Sequence, residues 1–249
     1  MGPTLLCLFA HPDDETFLAA GSLARYAREG VRLGIVTATR GQSGRTGDPP
    51  VCSKEELGHV RERELRAAAQ VIGLTDVTVL GYQDRQLAAA PVVGIRRDLV
   101  RAIRRLRPQV VLTFDPQGGN GHPDHVAISA FATDAVAAAA DPRWFPEDGR
   151  EWSVPRVLWP PPVPPWTLVS ERADLSRTPG VDFVLDVTAW AGSKLEALRC
   201  HRTQNLSVNR VFLSHPDMTA RLSVEMFRQA SGPPLPSRPL DDLFAGVGV

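Results

Sequence analysis

Over residues 1–140, short apolar runs alternate with longer segments whose apolar residues recur every three or four positions, and few architectures accept that alternation. Residues 4–10 form an unbroken apolar run, as expected of a strand covered on both faces. A helix over 15–28 presents Phe17, Leu18, Leu23 and Tyr26 on its apolar side and stops at Gly30. A second strand over 31–38 leads into a long loop, 39–53, punctuated by Gly41, Gly44, Gly47, Pro49 and Pro50. Loops of that length in compact domains commonly carry function. A helix over 54–72 closes at Gly73, and a strand follows over 77–80. The spacing of Ile95, Leu99, Ile103 and Leu106 sets a helix over 92–106, which ends before Pro108. A strand over 109–114, a turn-rich segment over 115–124 and an Ala-rich helix to about 140 complete the series. Strand and helix in strict alternation imply a three-layer α/β/α fold with a mainly parallel, Rossmann-like sheet. Such sheets bind ligands beyond the carboxyl ends of their strands.

Past residue 140 the pattern breaks. Nine of the 22 prolines lie in 141–180, six positions of which read Pro160-Pro161-Pro162-Val163-Pro164-Pro165, beside Trp144, Trp152, Trp159 and Trp166. This is a stiff flap over a pocket or, as a second reading, a polyproline ligand for a partner domain. The docking reading requires an exposed, mobile segment. A strand over 181–187 and a helix over 189–200 follow, and the Pro-rich 233–239 reads as a surface tail. The expected organisation is one domain over 1–232 with a C-terminal tail over 233–249.

Composition bounds the function. With 28 basic and 28 acidic residues the chain has no net charge, so nothing draws it as a whole to nucleic acid or to an anionic membrane. No apolar stretch is long enough to span a bilayer, and the apolar run at 5–10 follows no basic region. Cys7, Cys52 and Cys200 are too scattered for a disulfide framework or a CxxC metal knuckle, so a cytoplasmic protein is expected. Any metal site must therefore be built from nitrogen and oxygen. The sequence sets no oligomeric state; a homo-oligomer is compatible with it.

Two clusters carry the chemistry. Ala10-His11-Pro12-Asp13-Asp14-Glu15 follows the first strand, and Gly121-His122-Pro123-Asp124-His125 follows the fourth. Either alone is ordinary turn chemistry. Together, at two strand ends, they assemble the imidazoles and carboxylates that zinc, iron or manganese takes, with two His and one carboxylate leaving a position for water. The side chains of Asp13 and Asp14 should diverge, so one can bind metal while the other faces the reacting water as a base. His59, His201 and His215 read as surface or helix histidines. The first strand–helix turn lacks Gly-x-Gly-x-x-Gly, no Walker loop or Gly-x-Ser-x-Gly elbow occurs, and Cys7 fills a strand.

These paired motifs resemble the LmbE/PIG-L family of metal-dependent N-deacetylases, with further matches at Thr39-Arg40-Gly41, Arg61-x-x-Glu64-Leu65, Leu80-Gly81-Tyr82-x-Asp84 and Leu198-x-x-His201-x-x-Gln204. The resemblance spans about residues 4–206. It implies that His11, Asp14 and His125 bind the metal, Zn2+ or in its place Fe2+ or Mn2+. It makes Asp13 the general base, and His122 the group that stabilises the oxyanion or protonates the amine, oriented by Asp124. Arg61 and Asp84 match positions that hold sugar hydroxyls. The implied substrate is a small N-acetylglucosamine-type amide.

Gln42 stands where some relatives carry Glu, and Asn120 where some carry Tyr; Asn donates a hydrogen bond but no phenolic proton. Arg40, Arg45 and Arg61 offer an anion-binding rim or are solvated loop arginines. Two alternatives stay open: a thiol-conjugate amidase on the same site, and a sugar-binding protein that has lost turnover.

Overall fold

The computed structural model describes residues 2–248. Its strands are β1 (Thr4–Phe9), β2 (Arg32–Thr39), β3 (Asp76–Tyr82), β4 (Val110–Leu112), β5 (Arg156–Trp159), β6 (Phe183–Asp186) and β7 (Val224–Ser231). The principal helices are α1 (Asp14–Arg28), α2 (Leu57–Ile72), α3 (Val92–Leu106), α4 (Gly118–Gly121), α5 (Pro123–Ala139), α6 (Pro165–Ser170), α7 (Ala191–Cys200), α8 (Asn205–Val208) and α9 (Met218–Ser223). One sheet runs β3-β2-β1-β4-β5-β7-β6; its first five strands are parallel, and β7 is antiparallel to both neighbours.

The chain moves outward from β1 to β2 and β3, then returns to lay β4 on the other side of β1. Right-handed crossovers then force α1 and α2 onto one face and α3 and α5 onto the other. The packing agrees: α1, α2 and α7 contact one another, and α3 lies along α5. Every residue of β1 is buried, which explains its unbroken apolar run. Because strand order reverses between β1 and β4, a crevice opens at their carboxyl ends. Both sequence clusters lie there.

Three expectations need correction. The 141–180 segment is not a loop throughout: Arg156–Trp159 joins the sheet as β5, and Pro160, Pro161 and Pro165 are buried, which removes the docking-peptide reading. The strand β7 has no counterpart among the expected elements. The segment after Gly232 is no surface tail beyond its prolines, because Leu240 bridges to Phe183 while Leu243 and Phe244 enter the core. Buried Arg156 fastens this end by donating to the carbonyls of Leu243 (2.6 Å) and Ala245 (2.8 Å). Among the described residues no helix is long and apolar enough to cross a membrane.

Candidate active site

The turn from β1 into α1 is strained where the chemistry sits. Asp13 adopts φ 115°, a left-handed conformation that costs a residue with a Cβ on the order of 1–3 kcal/mol. Its carbonyl accepts from the amides of Thr16 and Phe17, and its amide donates to the Glu15 carboxylate (3.1 Å). Glu15 is gripped in turn by His201, Nε2 to Oε1 3.1 Å, with both side chains wholly buried. His201 is therefore not a surface histidine. Burial opposes its charging, but the hydrogen bond and charge of Glu15 win and raise its pKa.

His11 and His125 point their free nitrogens at each other. His125 Nδ1 donates to the Gly118 carbonyl (3.1 Å), leaving the Nε2 lone pair free, and its ring stacks on Phe114 at 3.9 Å. His11 Nε2 lies 3.2 Å from carboxylate oxygens of both Asp84 and Asp124, so it holds a proton and leaves Nδ1 as acceptor. The two acceptors are 3.1 Å apart. Asp14 completes the group, its oxygens 3.3 Å from His125 Nε2 and 3.9 Å from His11 Nδ1. Two lone pairs and a carboxylate converging in a buried site repel unless a cation joins them, so the donor set fits a divalent metal. Without one, burial opposes charging His11, yet Asp124, Asp84 and Asp14 hold its pKa at about 10. Burial would raise Asp14, but His125 and His11 bring it down to about 2.

Asp13 lies beside this set in the same cavity, with Oδ1 3.3 Å from Arg61 Nη2. Burial lifts its pKa to about 6, against the pull of Arg61. Arg61 runs under Gly41, whose missing Cβ leaves room for the guanidinium, and donates to the carbonyls of Gly41 and Pro12. His122 caps α5: its Nδ1 accepts the Asp124 amide (3.2 Å), so in the neutral ring the proton sits on Nε2. Partial burial and the nearby His11 and His125 lower its pKa.

The structure redistributes several sequence assignments. The Asp124 carboxylate does not reach the His122 ring; it orients His11 and accepts the amides of Arg85 (2.6 Å) and Leu87 (3.1 Å). Only its amide touches His122. Asp84 is not a free sugar-binding carboxylate, since it serves His11 and the Ser43 amide (2.8 Å). Asn120 lines the cavity, its Oδ1 accepting the His122 amide. Gln42 turns back to the Arg40 amide and the Tyr82 carbonyl rather than into the cavity. Of the arginines that offer an anion-binding rim, Arg40 pairs instead with Glu62 (2.9 Å) and Arg61 with Asp13 (3.3 Å).

These groups floor a cavity of about 640 Å³. Pro160, Pro161 and Trp166, from the Pro-rich segment read as a flap over a pocket, line it, and so do Arg210, His215 and Arg221, from a region to which sequence reasoning gives no role. His215 is therefore a cavity residue rather than an ordinary surface histidine.

The fold and this site together define a class: a hydrolytic three-layer α/β enzyme with a His/Asp set at its switch point that could hold a metal ion. The model of the PIG-L family, GlcNAc-PI de-N-acetylase, matches residues 6–136, and the chain belongs to that family. It is 34% identical over 241 residues to a 1D-myo-inositol 2-acetamido-2-deoxy-alpha-D-glucopyranoside deacetylase of Streptomyces avermitilis, covering 80% of this chain and 82% of the relative. A solved structure of a conserved protein from Thermus thermophilus superposes with TM-score 0.69 at 28% identity, covering 93% and 96% of the two chains. The N,N'-diacetylchitobiose deacetylase from Pyrococcus horikoshii shares the fold, with TM-score 0.70 at 23% identity over 91% of this chain and 83% of its own.

Proposed function

We propose that this protein is a metal-dependent deacetylase that removes the acetyl group from the amine of an N-acetylglucosamine-type substrate. The convergence of His11 Nδ1, His125 Nε2 and Asp14, with Asp13 beside but outside the set, carries the reading. The inositol glucosaminide named for the Streptomyces relative supports the substrate class. A divalent ion held by His11, Asp14 and His125, with zinc first and Fe2+ or Mn2+ as alternatives, would make water nucleophilic near neutral pH and polarise the amide carbonyl. Asp13 is a carboxylate at neutral pH, yet basic enough, at about 6, to take the proton of the attacking water. His122 offers Nε2–H to the oxyanion that develops on the amide carbonyl. The proton on Asp13 then passes to the departing amine. A sugar-binding protein without turnover has no use for a strained carboxylate beside the ligands. The three free thiols support a cytoplasmic setting.

Acetate release from N-acetylglucosaminyl-inositol tests this. Asp13→Asn should lower kcat by roughly 10²–10⁴-fold. His125→Ala should lose both bound metal and turnover, and chelation should abolish activity until zinc, ferrous or manganous ion is returned. Undiminished activity in both variants would overturn the mechanism.

A further inference from the structure

Residues 41–48, in the long loop after β2, read Gly-Gln-Ser-Gly-Arg-Thr-Gly-Asp and hold no apolar side chain. Burial of hydrocarbon therefore cannot fix this strap, and its place rests on hydrogen bonds. Two of its backbone groups reach the chemistry. The Gly41 carbonyl accepts from Arg61 Nη1 (2.9 Å), and Arg61 Nη2 lies 3.3 Å from the Asp13 carboxylate. The Ser43 amide donates to Asp84 Oδ2 (2.8 Å), while Oδ1 of the same carboxylate lies 3.2 Å from His11 Nε2. One short stretch of backbone thus stands behind both Asp13 and His11, and each contact is only as well placed as the strap.

The strap has two sets of ties. At its inner end Gln42 donates to the Tyr82 carbonyl (3.3 Å), and Lys54 Nζ donates to the carbonyls of Ser43 and Gly44. Its outer end is tied by the turn that follows α7. Gln204 Nε2 donates to the Arg45 carbonyl (3.2 Å). Asn205 Oδ1 accepts the Asp48 amide (3.1 Å), and its Nδ2 donates to the Asp48 carbonyl (2.7 Å). One side chain so pairs with both backbone groups of one residue. An amide side chain both accepts and donates, which a carboxylate cannot.

The turn that carries Asn205 is itself anchored. Wholly buried His201 grips Glu15, and Thr203, 1% exposed, gives its amide (2.9 Å) and hydroxyl (2.6 Å) to the Glu64 carboxylate. Glu64 lies three residues beyond Arg61 on α2. Gly47, at φ 96°, lets the strap pass close to this turn; a Cβ there would stand 3.1 Å from the Arg202 carbonyl. Asn205 is half-buried and stands outside the cavity lining, to which its neighbours Gln204 and Ser207 belong.

We propose that Asn205 is a positioning residue for the deacetylation: as the latch on strap 41–48 it keeps the Gly41 carbonyl on Arg61 and the Ser43 amide on Asp84, and through them sets the Asp13 carboxylate and the His11 imidazole. This rests on the deacetylase reading and gives the loop after β2 a part in the reaction. Because Asn205 does not line the cavity, its effect runs through the strap and not through contact with substrate.

Asn205→Ala removes both bonds at once. Read by hydrogen exchange, the amides of residues 43–51 should exchange about tenfold faster or more, while those of β1 and α2 stay as they are. On N-acetylglucosaminyl-inositol, kcat counted per folded molecule should fall about tenfold with KM within about twofold. Competition with a chelator should show roughly three- to tenfold weaker zinc binding. Asn205→Asp keeps the acceptor but sets a second carboxylate oxygen against the Asp48 carbonyl, so it should behave like Asn205→Ala and serves if that variant does not fold. A purely structural role would lower Tm alone, and a role in holding substrate would raise KM alone. Either result overturns the proposal, as does unchanged exchange at 43–51, unchanged kcat or unchanged zinc affinity. If the intact protein releases no acetate, the deacetylase reading fails by itself. Exchange and zinc affinity, which need no turnover, then decide the latch: faster exchange with weaker zinc supports it, and faster exchange with unchanged zinc refutes it.

Discussion

At the scale of single residues, the site depends on side chains that never touch the metal-binding set. His201 reaches across 186 positions to hold Glu15, and Glu15 holds the strained amide of Asp13. Facing His201 are Glu15 and Asp13, which favour its charged form, and Arg61, which opposes it. Because the folded pKa is raised above about 6.5, the stabilisation is present below that pH and fades as pH climbs through the raised value. Replacing His201 with Gln should therefore cost about 3 kcal/mol on the acid side, on the order of 6–12 °C in Tm, with a smaller gap in alkali. Melting curves of both proteins across pH check this; a gap that widens with pH would contradict it. The two clusters could be read from sequence because the members of each are neighbours in the chain, although His11 and His125 lie 114 positions apart. His201, Arg221 and His215 could not, because their roles come from distant partners and each looks ordinary in its own segment.

At the scale of elements, the short turn α4 sets His125. Gly118 has φ 70°, and a Cβ there would come within 2.8 Å of both His125 Cβ and the Val126 amide. Gly118→Ala should strain the turn, push α5 outward and rotate the imidazole off the Gly118 carbonyl that fixes its tautomer. A loss of roughly 10–100-fold in metal affinity is expected, read by competition with a chelator of known strength. Unchanged affinity would mean the backbone yields elsewhere. Regular helices with sharp stops were legible, as Val92–Leu106 before Pro108 illustrates. The strand β7 was not, since Val224–Ser231 mixes buried Glu225 with half-exposed Arg228 and Gln229 and follows neither pattern of a single-faced strand. Glu225 is there to bind Lys194 (2.8 Å) and the amides of Gly21 and Ser22, a long-range duty with no local signature.

At the scale of the whole molecule, the last residues close the structure. Leu243 is 1% exposed within the main core, and the Tyr26 hydroxyl accepts its amide at 2.7 Å. Leu243→Ala should cost about 2–5 kcal/mol, a drop in Tm that a dangling tail would not produce. The two parts of the site also have different origins along the chain. The matched family segment, 6–136, contains every group placed in the chemistry, whereas the aromatic, proline and arginine walls beyond Phe17 come from residues 160–221. The His/Asp cluster and these walls thus come from separate stretches of the chain. A change confined to the later stretch can therefore reshape the cavity while leaving the His11, Asp14 and His125 side chains in place.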